Sequence, residues 1–85
     1  MLNKVEVEIL KYLYYNQLNN PMNSQTIKSL SKTTKLNYFR LRNIINHLCL
    51  LGLCSQGYKE GNANTYYISL KGIKKEDDLT NFPEV

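Results

Sequence analysis

At Gly52 the hydrophobic repeat of the chain changes from about 3.6 residues to 2, and this switch limits the possible folds more than any other feature. Before Gly52, apolar residues fall at helical spacing. After it, "LCSQGYK" and "TYYISL" are two short segments rich in Tyr, Ile and Thr, separated by the polar "EGNAN". That pattern predicts a β-hairpin with a flexible tip. A chain of 85 residues is near the small end of what folds alone. Helices and hairpin are therefore expected to share one core, in a single domain over residues 1–85. Its ordered part is expected at about 3–75, and its tail, 76–85, is expected to be loosely ordered.

The helices are marked by their ends. Asn3 with Glu6 makes a capping box for a first helix, whose stripe is Val5, Ile9, Leu10, Leu13 and Tyr12. It fades near Leu18, before the breaker "NNP". Asn23 or Ser24 is the expected cap of a short second helix that buries Ile27 and Leu30 and ends around Ser31. "SKTTK" then favours a turn. The third helix starts near Leu36 or Asn37 and runs to about Leu51, with Gly52 as its stop. At 100° per residue, Ile45 and Leu48 lie within about 40° of Leu41, and the three form its buried stripe. Ser69 is positioned to cap a last helix, "LKGIKKEDDL", anchored by Ile73, with Glu76, Asp77 and Asp78 as a solvated end.

Composition removes several function classes. No apolar run approaches the ~20 residues that span a bilayer, and Glu6 and Glu8 interrupt any signal-like start. An intracellular, cytoplasmic protein with no membrane contact is expected. Cys49 and Cys54 read as reduced, at least partly buried thiols. His47 and Cys49 point about 200° apart on a helix and cannot grip one ion, so neither metal nor cofactor is expected. One histidine, no phosphate-cradling glycine loop and no nucleophile-plus-base pair argue against an enzyme.

The net charge of +4 is unevenly spread. From Ser24 to Lys59 the chain holds Lys28, Lys32, Lys35, Arg40, Arg42 and Lys59 and no acid. The outer face of the third helix carries Phe39, Asn43 and Asn46, flanked by Arg40 and His47 on one edge and Arg42 on the other. Such segregation suits a polyanion.

The order of elements resembles the winged helix-turn-helix family: mainly α with a small β-hairpin, three core helices, a wing and a short C-terminal helix. "LNYFRLRNIINHLCLLGL" looks like that family's recognition helix, with Gly52-Leu53 opening the wing. "TYYISLKG" looks like the second wing strand of MarR-like and PadR-like bacterial regulators. The resemblance implies a small sequence-specific protein for double-stranded DNA, most simply a transcriptional regulator reading the major groove with residues 37–51. The TubR-like centromere-binding adaptors of plasmid or phage segregation systems are the alternative within the fold, with a segregation or regulatory partner protein. A protein-interaction module without DNA contact is the alternative outside it.

A helix in the major groove needs donors matched to base edges, and Arg with guanine and Asn with adenine are the standard pairs. Asn37, Tyr38, Phe39, Arg40, Arg42, Asn43 and Asn46 are accordingly expected at the DNA. Ser24, Gln25 and Thr26 are expected to offer a helix N-terminus to a phosphate. Thr33, Thr34 and Lys35 are expected to clamp the backbone from the turn, and Lys59 is the cation of the wing tip. Tyr14, Tyr15 and Leu50 are expected to expose an apolar patch that joins two copies as a homodimer.

Overall fold

The computed structural model describes residues 2–81 and contains four helices and a small sheet. In chain order these are α1 (Lys4–Tyr15), β1 (Gln25–Thr26), α2 (Ile27–Thr34), α3 (Tyr38–Leu50), β2 (Cys54–Gln56), β3 (Thr65–Ile68) and α4 (Leu70–Asn81). The α1 capping box forms as its sequence predicts: Glu6 N donates to the Asn3 side chain and Asn3 N donates to the Glu6 carboxylate. Asn37 caps α3 by accepting from the amides of Phe39 and Arg40.

Leu41, Ile45 and Leu48 of α3 have no exposed surface, and they join Ile9, Leu10, Leu13, Ile27 and Leu30 in one core. Ile44, which the expected stripe omits, is buried with them. The helix stops at Gly52, whose φ of 77° is left-handed. Gly52 N donates to Cys49 O and Leu53 N to Leu48 O, which closes the last turn. The next residues enter the sheet. β3 is its central strand, antiparallel to β2 on one side and to β1 on the other. Tyr66 and Ile68 point into the core, and Cys54, opposite Ile68, is buried with them.

Four expectations are corrected. First, α2 begins at Ile27 under a Thr26 cap, and Asn23 and Ser24 are not its start. Gln25 and Thr26 are instead a third strand, paired with Tyr66 and Thr65. Second, α2 runs through Lys32, Thr33 and Thr34. It ends on Lys35, whose φ of 62° makes it a left-handed C-cap donating to Ser31 O. Third, α4 continues through Glu76 and Asp77 to Asn81, where a loose tail is expected; residues 82–85 lie outside the described residues. Glu76 is buried rather than solvated, and its burial pushes the carboxyl up from the usual range despite the charge of Lys11. Fourth, Tyr14 is half-buried, and its hydroxyl donates to Asp77 at 2.6 Å. It therefore serves to hold α4 on α1, and of the expected patch only Tyr15 and Leu50 are exposed.

Gly72 explains how α4 comes so close to the sheet. A Cβ there would lie 2.1 Å from the Leu53 carbonyl oxygen and 2.6 Å from Ile68 Cγ1. The expected result for Gly72→Ala is a loss of about 1–3 kcal/mol, because backbone must move to admit the methyl. Equilibrium urea unfolding measures it. An unchanged midpoint would show that α4 sits elsewhere.

Candidate nucleic-acid interface

The outer surface of α3 divides into three rows, which follow from helix geometry. Tyr38, Arg42 and Asn46, spaced by four, form the row that faces the wing. Phe39, Asn43 and Leu50 form the crest. Arg40 and His47 occupy the far edge, where His47 meets Glu6 of α1. All eight residues are exposed, Phe39 by 67% and Leu50 by 85%. Tyr38 and Phe39 pack edge-on with ring centroids 5.3 Å apart, which stiffens the first turn of the helix.

Between the wing-facing row and the hairpin lies a cleft of about 580 Å³. Lys28 enters it from α2, Gln56 and Tyr66 from the sheet, and Asn62, Asn64 and Glu60 from the wing. Lys28 thus lines the same cleft as Arg42. Gln56, Asn62 and Asn64 are candidate contacts that sequence reasoning missed. Their signal was the amide-rich "EGNAN" following a strand that ends on Gln56. Lys59 is exposed at the wing and does not line the cleft.

The expected supporting contacts are distributed differently. The Ser24 hydroxyl lies 2.9 Å from both Pro21 O and Thr65 Oγ1, and Thr26 Oγ1 accepts from Ser29 N at 3.1 Å. Both side chains are thus used to fix β1 and α2. The hydroxyls of Thr33 and Thr34 donate to carbonyls of α2 itself. These two threonines line a separate, largely apolar groove with Val5, Ile9, Tyr12 and Tyr15 of α1 and Leu36 of the turn before α3. The structure does not bring them to the cleft. Gln25 and Lys35 stand apart from the cleft as well.

The thiols contribute no chemistry here. Burial raises the Cys49 thiol and pushes Cys54 up to about 12, so both stay protonated near neutrality. Among the described residues no cluster of His, Cys, Asp and Glu is arranged to hold a metal ion, and no helix is long and apolar enough to cross a membrane.

A helical core whose last helix stands beside a β-hairpin, presenting a basic and amide-rich face, defines the protein as a winged helix-turn-helix. The same fold is found in TubR from Bacillus megaterium pBM400, with a TM-score of 0.81 at 17% identity over 95% of this chain and 89% of that one. It is found also in MepR, a transcription regulator of the Staphylococcus aureus multidrug efflux pump MepA, with a TM-score of 0.78 at 18% identity over 93% of this chain. The chain spans only 56% of MepR. No protein-family profile matches the sequence. Over 74 residues, however, it is 34% identical to the DNA-binding protein TubR of Clostridium botulinum C phage, which covers 87% of this chain and 91% of that protein. The chain belongs to the TubR family.

Proposed function

We propose that the protein binds double-stranded DNA sequence-specifically, with α3 in the major groove and the wing beside it. The observation that carries this reading is the wing-facing row Tyr38, Arg42 and Asn46, which shares one cleft with Lys28 and the wing amides. Arginine and asparagine there supply the donor patterns that distinguish guanine and adenine, and Lys28 supplies charge for a phosphate. Phe39, Arg40 and Asn43 extend the reading surface along the crest and far edge. The likeness to a DNA-binding TubR supports the same reading. In this arrangement Lys35 and Lys59 act through the phosphate field. Gln25, on strand β1 just before α2, touches the DNA backbone, and Ser24, Thr26, Thr33, Thr34 and Asn37 mainly hold the reading elements in place.

Membership of the TubR family favours the adaptor role in DNA segregation over that of a regulator at a single operator. Two copies, joined through a surface that includes Tyr15 and Leu50, would set two α3 helices about one helical turn apart. Nuclease footprinting on the DNA upstream of the protein's own coding region tests both levels. Protection across a run of tandem repeats is expected. A single protected palindrome would place the protein among regulators, and salt-insensitive or absent binding would remove the DNA reading altogether.

A further inference from the structure

The far edge of α3 carries a contact that the reading above leaves unused. His47 is the one histidine of the chain, and its Nδ1 lies against Oε2 of Glu6. The Glu6 side chain is only 5% exposed, whereas half of the His47 side chain is open. Both carboxylate oxygens are engaged, since Oε1 also accepts from Asn3 N at 3.0 Å. The bond from Asn3 first, and that from His47 second, hold the Glu6 carboxyl below the usual range. Glu6 is therefore an anion that can only accept, and Nδ1 must carry its hydrogen whatever the charge of the ring.

That constraint fixes what the other nitrogen does. Nε2 lies across the ring from Nδ1, directed away from the buried carboxylate. In the neutral ring Nε2 is a bare acceptor, which repels a phosphate oxygen. In the protonated ring it is a charged donor, which attracts one. Arg40, two turns earlier on the same edge, already directs a cation outward. Lys71 and Lys75 of α4 line a groove with Leu2, Leu51 and Leu53, and the charge of the chain's amino terminus also acts on Glu6.

We propose that His47 is a phosphate contact of the reading helix, positioned by Glu6, that engages DNA only when its ring is protonated. The inference rests on the DNA reading given above. It makes affinity rise as pH falls from about 8 to 5, the span in which histidine side chains in general change charge. Neither cysteine titrates there, because burial holds both thiols up.

The test is a titration of two duplexes, one selected by the protein from a random pool and one of random sequence, at several salt concentrations and at both ends of that range. The wild type should bind both duplexes roughly tenfold tighter at the lower pH, the worth of one charge-assisted hydrogen bond. Its salt slope should steepen by about one. His47→Gln should remove the pH dependence and stay weak, and His47→Arg should remove it and stay tight. Glu6→Gln retains the capping box, because glutamine serves at the same helix position. Its neutral amide no longer confines the ring hydrogen to Nδ1, so the pH dependence should flatten while the melting temperature changes little. A wild type whose affinity and salt slope are the same at both pH values overturns the proposal, as does a pH dependence that survives in His47→Gln. In either case binding itself remains, which leaves the DNA reading intact. Absence of binding at every pH overturns both.

Discussion

Leu48→Ala should lower stability by about 2–5 kcal/mol, through lost transfer energy and the cavity left behind. A domain of this size carries roughly 4–13 kcal/mol in total, so the variant is expected to be substantially unfolded near its former melting temperature. Leu48 has no exposed surface and belongs to the core that α3 shares with residues of α1, α2 and the sheet. Its backbone carbonyl also accepts from Leu53 N, so the same turn launches the wing. Leu70→Ala is the matched control. It removes the same atoms from the start of α4, but Leu70 is 85% exposed, and its loss should stay within about 0.5 kcal/mol. Thermal and urea melts of the two variants measure the contrast. Equal melting of Leu48→Ala and wild type would mean that α3 presents a different face to the core.

What was legible in the sequence was local. The capping box of Asn3 and Glu6, the stripe of Leu41, Ile45 and Leu48 and the left-handed stop at Gly52 each depend on residues within a turn or two. The hairpin was legible for the same reason, as alternation on both sides of a polar tip. The strand β1 was not, because Gln25 and Thr26 have no strand pattern of their own. They are extended because Thr65 and Tyr66, some 40 residues later, offer backbone partners. The same distance hid the Ser24–Thr65 hydrogen bond, which turned an apparent phosphate ligand into a structural tie. It hid the Tyr14–Asp77 bond too, and with it the reason α4 is ordered beyond Gly72. Glycine inside a helix ordinarily weakens it. Gly72 is the point where α4 passes closest to Leu53.

The candidate site divides along the same line. The exposed face of α3 follows from helical periodicity, which alone directs Phe39, Arg40, Arg42, Asn43 and Asn46 outward, and all five are exposed. Periodicity does not say what stands opposite each row. That Arg42 faces the wing amides and His47 faces Glu6 depends on how the hairpin and α1 pack around the helix. Glu6 shows the limit most plainly. Its capping role was readable three residues away, whereas its contact with His47 spans 41 positions.

Replacing both Arg40 and Arg42 by alanine should abolish most sequence-specific binding. Each arginine that meets a base edge is worth about 1–3 kcal/mol of discrimination. The two sit on opposite edges of the helix with no shared partner, so their losses should add. The single variants separate reading from attraction. At least one of them should lose the preference for specific over random duplexes at one base position, and Arg42 is the better placed, beside Asn46 and the wing. Lys32→Ala and Lys59→Ala should instead weaken every duplex alike and lower the salt slope by about one if the lysine meets a phosphate. Neither lysine shares a cleft with the reading row, so neither is expected to change the ratio of specific to random affinity. The measurement is that ratio, determined for each variant at several salt concentrations. If Arg40→Ala and Arg42→Ala both keep the wild-type ratio, the reader is not α3. Specificity would then have to come from Asn62, Asn64 and Lys59 of the wing, a surface with one cation and an acid, Glu60, beside it. Such a surface is poorly suited to a polyanion, and for that reason the arginines are expected to carry the reading.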